Sequence, residues 1–129
     1  MKKITFKKLA FIPASHEDKT DPGSLKKVFF TFADFPPNSR LQMINWAKLP
    51  VWKSFNSHYH EDMDEVFIIL SGKVKIETGG EEEILEVGDA VFIPMKEIHK
   101  MENIGEKDVN YLAIGVSLGK GGKTVVNRI

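Results

Sequence analysis

The stretch His58-Tyr59-His60-Glu61-Asp62-Met63-Asp64-Glu65-Val66-Phe67-Ile68-Ile69-Leu70-Ser71-Gly72 decides how the chain is read. His58 and His60 are two apart, and on a strand such side chains project from one face. Glu65 follows five residues after His60, and a bend through Glu61-Asp62-Met63-Asp64 returns it to that face. Val66–Leu70 is apolar at every position. Such a run lies between two layers, or in a closed barrel set against a subunit partner. Ser71-Gly72 closes it as a tight hairpin turn, because glycine reaches positive φ without a steric cost.

Outward from this stretch, short Val-, Ile- and Phe-rich runs alternate with turn residues. Strands are predicted at Val28–Phe32, Arg40–Ala47, Ser54–His60, Glu65–Leu70, Val74–Thr78, Glu83–Leu85, Ala90–Ile93, His99–Asn103, Val109–Val116 and Thr124–Asn127. In Lys73–Glu77 the alternation turns Val74 and Ile76 inward and the charges outward. Gly79-Gly80 and Gly88-Asp89 are further turns, Pro36-Pro37-Asn38 ends the amino-terminal region, and Gly119 to Gly122 links to the last strand. No long helical period and no internal repeat is visible. The pattern predicts an all-β sandwich or barrel.

Bulk properties narrow the function classes. The chain has 129 residues, of which 42% are hydrophobic and 28% charged, as expected for one globular domain. With no cysteine, disulfides, thiolate nucleophiles and cysteine-based metal sites are excluded. Eighteen basic residues balance eighteen acidic ones, so no overall field favours nucleic acid. Met1 to Lys8 is basic, but the apolar run Leu9–Ile12 is stopped by Pro13 and is too short for an export signal. No run approaches the ~20 apolar residues of a membrane span. A cytoplasmic protein with neither nucleic-acid nor membrane partners is expected.

The histidines carry the chemistry. His99 lies beyond Pro94, far along the chain from His58 and His60. Three neutral imidazoles and the Glu65 carboxylate suit a borderline divalent ion: iron, manganese, nickel, cobalt or zinc. A single strand histidine is more often a hydrogen-bonded core or surface group, so the weight rests on the combination. His16, in Ser15-His16-Glu17-Asp18, reads as exposed, and Glu61, Asp62 and Asp64 read as an exposed rim. Trp46 and Trp52 read as core or subunit-interface residues. Lys123-Thr124 with Gly119 and Gly122 imitates a phosphate loop, but Ser117 holds its first glycine position and only five residues follow Thr124.

The spacing His-x-His, four residues, Glu65, six residues, Gly72 resembles the first motif of the cupins. Gly88, five residues, Pro94, three residues, His99, three residues, Asn103 resembles the second. Two glycines of the family pattern are absent, with Trp52 six residues before His58 and Lys96 two after Pro94. The resemblance implies a double-stranded β-helix (jelly-roll) barrel of six to eight strands. It places one divalent metal ion inside, near one mouth, held by His58, His60, Glu65 and His99. It also implies a homodimer, in which residues 1–35 supply outer strands at the subunit interface and residues 36–129 form the barrel.

Function divides into three readings at this stage. An oxygenase, isomerase or lyase would act on a small polar metabolite that chelates the ion. A non-catalytic module would hold metal with a sugar-like or other small ligand. A structural zinc would only stabilise the barrel. Phe67 and Ile69, which alternate with Glu65, and Met101, which alternates with His99, are candidate pocket residues, joined by Gln42 and Tyr111. With only Arg40 and Arg128 in the chain, and a phosphate substrate often needing an arginine clamp, an uncharged or monocarboxylate substrate is expected unless Arg40 reaches the pocket.

Overall fold

The computed structural model describes residues 1–118 and 122–126. Gly119 to Gly121 and Asn127, Arg128 and Ile129 lie outside the described residues, and with them most of the glycine link and the end of the last predicted strand. Two antiparallel sheets face each other. One contains β1 (Ile12–Pro13), β2 (Leu25–Thr31), β3 (Leu41–Leu49), β5 (Met63–Ser71), β8 (Ala90–Ile93) and β10 (Val109–Ser117), in the order β1-β2-β3-β10-β5-β8. The other contains β4 (His58–His60), β6 (Val74–Thr78), β7 (Glu81–Leu85), β9 (His99–Asn103) and β11 (Thr124–Val126), in the order β11-β4-β9-β6-β7. This is the predicted all-β jelly roll.

The predicted strands 74–78, 90–93 and 99–103 match the observed ones, and most others differ by one to three residues at an end. Two differences have a physical cause. Ser54 to Ser57 do not extend β4, because the Asn56 amide donates to the Glu17 carboxylate at 2.7 Å instead of to a ladder. The expected four-residue bend is two residues, Glu61-Asp62, with Met63 and Asp64 already in β5. The Asp64 carboxylate accepts the Met95 amide at 2.8 Å and Asp62 accepts that of Lys123 at 3.1 Å. Both aspartates are half-buried acceptors, not the exposed rim expected of them.

The core lies between the sheets and includes Leu49, Phe55, Phe67, Ile69, Ile93, Met101 and Val109. The double-sided apolar character of Val66–Leu70 follows from the layering. Phe67 and Ile69 face the core, while Val66 and Ile68 join cross-strand rows on the outer face. One row runs Trp46–Leu112–Ile68 and the next Ile44–Ile114–Val66–Phe92. Trp46 continues this surface under Phe6, ring centroids 5.0 Å apart, whereas Trp52 is 90% exposed and belongs to no core.

The turns explain several motif positions. Gly72 has φ of +82°, and a Cβ there would meet Val109 Cγ2 at 2.5 Å. Trp52 and Lys96 have φ of 68° and 69°, the described non-glycine residues in the left-handed region. They occupy the two places where the family pattern has glycine. The turns keep their shape there at the cost of strain in a residue with a Cβ.

Candidate metal centre

Three of the four candidate ligands come from one sheet and the fourth from the other. His58 and His60 share the inward face of β4, which is buried at both. His99 on β9 is the direct cross-strand partner of His58, so the two rings lie side by side with centroids 4.3 Å apart. Glu65 reaches them from β5 across the interlayer space, with Oε1 at 3.3 Å from His60 Nε2 and 3.4 Å from His99 Nε2. One donor atom from each residue lies within 4.8 Å of the other three, and all four side chains are buried.

Hydrogen bonding fixes which atoms face the centre. His58 Nδ1 donates to the Asn56 carbonyl at 2.6 Å, and His99 Nδ1 donates to the Glu97 carbonyl at 3.0 Å. A carbonyl only accepts, so Nδ1 carries the proton and Nε2 of each neutral ring is a bare lone pair. His60 Nδ1 meets Thr124 Oγ1 at 3.1 Å. The Nε2 atoms of His58, His60 and His99, together with Glu65 Oε1, are buried with no hydrogen-bond partner. Buried acceptors without donors are costly. Four of them converging on one point repel one another unless a cation lies between them. The residues therefore fit a divalent ion.

The electrostatics agree. Burial, with His16 and His99 alongside, pushes His58 down to about 2, so its ring is neutral at ordinary pH.

A cavity of about 280 Å3 opens over this centre, lined at its inner end by His60 and Glu65. That is close to the lower end of the roughly 300–1,000 Å3 typical of small-molecule pockets. Of the residues expected to line a pocket, Gln42, Phe67 and Tyr111 do so. Ile69 and Met101 instead pack in the hydrophobic core, 1% and 0% exposed, because alternation turns them inward at levels filled by other apolar side chains. Arg40 lines a separate groove and does not reach the cavity. Glu61, Asp62 and Asp64 stay out of the four-residue cluster.

The sequence reading misplaces His16. Its ring stacks on His58 at 3.9 Å with a 16° interplanar angle, and it lines the cavity rather than solvent. Glu17 holds it there, since Oε2 accepts from His16 Nδ1 at 2.7 Å. Other cavity residues missed include Ser24, which bonds the buried Tyr111 hydroxyl at 2.9 Å, and Lys26. Burial raises the Tyr111 phenol above its usual range, with Glu65 and Glu17 adding to the effect against the Ser24 bond, so it stays protonated. The signal for Lys26 is the pair Lys26-Lys27: on a strand, one of two consecutive residues faces inward. Asn45, on the cavity wall, has a buried Oδ1 with no partner.

The sequence profile of the Cupin domain family matches residues 45–115, more than half of the chain. The chain is a cupin. Among curated relatives, this cupin is 34% identical over 81 residues to an oxalate-binding protein of Thermotoga maritima, a match covering 63% of the chain and 67% of the relative. In fold it is similar to the crystal structure of a predicted oxalate decarboxylase from the same organism, with a TM-score of 0.77 at 22% identity, covering 91% of this chain and all of that one. It is equally similar to a polyketide cyclase of Streptomyces resistomycificus, with a TM-score of 0.77 at 15% identity over the full chain and 87% of that structure. No helix among the described residues is long and apolar enough to cross a membrane.

Proposed function

We propose that this cupin holds one divalent ion through His58, His60, Glu65 and His99 and binds a small carboxylate that chelates it. The observation that carries the reading is the convergence of four buried, unpartnered acceptor atoms on one point. The 34% identical oxalate-binding relative points to carboxylates as the ligand class. When bound, such an ion polarises a carbonyl or carboxylate as a Lewis acid and, if it is iron or manganese, supports redox chemistry. The protein's own contribution is to orient the ligand and limit water around it. Phe67 forms an apolar wall, and Gln42, Tyr111 and Ser24 offer polar contacts.

The test begins with elemental analysis of protein purified without a histidine tag. One equivalent of a transition metal is expected, falling to a small fraction in His58→Ala and His99→Ala variants that keep the β-sheet circular dichroism. Unchanged metal content in those variants overturns the site. The metal-loaded protein is then given oxalate and other short carboxylates while oxygen uptake and carbon dioxide release are followed. Turnover supports a decarboxylase or oxygenase. The relative's name favours a second reading, a binding module, for which tight binding without turnover is the expected result.

The outer rows Trp46–Leu112–Ile68 and Ile44–Ile114–Val66–Phe92 support a homodimer, with residues 1–35 contributing strands at the interface. Phe92 is 60% exposed at the end of its row. Sedimentation should give a dimer that Ile114→Glu converts to monomer.

A further inference from the structure

Lys26 and Lys27 are neighbours on β2 with opposite surroundings. Lys27 is satisfied: Nζ donates to the Phe6 carbonyl at 2.9 Å and lies 3.5 Å from the Phe6 ring centroid and 4.7 Å from that of Phe11. Lys26 pairs across the sheet with Ala47, whose side chain is buried, and directly opposed residues share a face. It therefore faces the cavity, where it is the one Lys or Arg among the described lining residues, as Glu65 is the one carboxylate. Among the described residues no hydrogen bond or ion pair holds its ammonium, which feels the Glu65 charge only through space. Burial lowers its pKa, opposed by Glu65.

The charge count gives this position meaning, and it rests on the metal reading above. A divalent ion on three neutral imidazoles and one carboxylate leaves that centre one positive charge in excess. Lys26 adds a second in the same partly enclosed space. Once Glu65 is engaged by the ion, its charge no longer offsets Lys26. Two unpaired positive charges in one low-dielectric cavity are unfavourable, and a dianion relieves both.

We propose that Lys26 is the specificity-determining residue of the pocket, binding the second carboxylate of a small dicarboxylate whose other end meets the metal centre. A dicarboxylate departs from the expectation of an uncharged or monocarboxylate ligand, which rested on the scarcity of arginine. A lysine serves here because it is a point charge on a flexible stem that needs no bidentate geometry.

The test uses full-length protein loaded with cobalt(II), whose visible spectrum reports ligand arrival, together with calorimetry. Oxalate, malonate and succinate are compared with the monoanions glycolate and acetate, in wild type, Lys26→Met and Lys26→Arg. Wild type should bind its best dicarboxylate at least tenfold more tightly than either monoanion. Lys26→Met should lose that preference, with dicarboxylate affinity falling more than monoanion affinity, while keeping cobalt content and a melting temperature no lower than that of wild type, and Lys26→Arg should restore most of the preference. If Lys26→Met keeps the preference, the role of Lys26 is wrong and the metal-site reading stands. If Lys26→Met fails to fold, an unchanged preference in Lys26→Gln overturns it equally. If cobalt-loaded wild type binds none of these acids, the carboxylate reading itself falls.

Discussion

Glu17 offers the sharpest test of how the cavity mouth is built. Its carboxylate accepts four N–H groups: Gly23 at 2.6 Å and Ser24 at 3.2 Å on Oε1, and Asn56 and His16 Nδ1 at 2.7 Å each on Oε2. One side chain therefore ties the loop before β2 to the segment leading into β4, and fixes the ring that lies over His58. In Glu17→Gln the amide oxygen keeps one pair of these bonds, but the NH2 end faces the donors of the other pair. His16 can change tautomer to accept; the Asn56 amide cannot. The Asn56 amide lies on the exposed side and can turn to water, so its lost bond costs about 0.5–1.5 kcal/mol, and the remaining bonds lose their charge assistance, roughly half their strength. A loss of about 1–3 kcal/mol is expected, appreciable against a total of roughly 5–15 kcal/mol. Urea unfolding measures it, and hydrogen exchange should show faster amides at Gly23, Ser24 and Asn56. The pH dependence supplies a second arm. Burial opposes ionisation of Glu17, but its hydrogen bonds outweigh burial and hold the carboxyl below its usual 4.5. Below pH 4.5 the unfolded chain takes up this proton more readily than the folded one, so the Glu17 contribution is present above 4.5 and lost as pH falls beneath it. Glu17→Gln should lack that component. A variant within 0.5 kcal/mol of wild type, with unchanged exchange at these amides, would refute the reasoning.

Metal should stabilise the folded chain by about 2.7 kcal/mol at a free concentration of one hundred times Kd, read as a melting temperature that chelator lowers; coincident melts argue against the site. Trp52→Gly and Lys96→Gly should each stabilise by about 0.5–1 kcal/mol, since a left-handed residue with a Cβ costs roughly 1–2 kcal/mol and glycine returns part of that as chain entropy. Denaturant midpoints that fall in both variants would show that φ of 68° and 69° carries no strain here. Asn103→Ala should cost at least about 2 kcal/mol, because its buried amide donates to the Leu49 and Lys107 carbonyls and accepts from Gly105. Thermal unfolding of the variant checks this.

The fold was legible because its signals are local. Strand period, turn glycines and the two histidine–glutamate spacings all lie within short windows, and the pairing of His58 with His99 follows once β4 and β9 share a sheet. Other features were not legible, for definite reasons. His16 sits in a polar segment, and its burial depends on Glu17 finding the amides of Gly23, Ser24 and Asn56, contacts that leave no periodic trace. Ile69 and Met101 have the correct facing parity for a pocket, but parity does not say at which level along a strand the core gives way to the cavity. Trp52 and Lys96 show that a missing glycine does not abolish a turn that the surrounding strands impose.

The placement of these residues also separates what makes the chain a cupin from what makes it select a ligand. The four converging donors and the turn residues around them lie within the family motifs, and they determine that an ion can be held. Much of the wall around the ligand comes from elsewhere: His16 and Ser24 from the mouth segment, Lys26 from β2 and Gln42 from β3, all before residue 45, where the family profile begins. Sequence change at Ser24, Lys26 or Gln42 can therefore alter the charge and hydrogen-bonding of the cavity without touching the three Nε2 atoms and the Glu65 oxygen. In this chain that wall is largely apolar and carries a single lysine. Exchange of residues 24–28 between this chain and another cupin, which leaves His16 and Glu17 in place, should accordingly move ligand preference while leaving metal content unchanged; if both move together, metal and ligand selection are not separable in this fold.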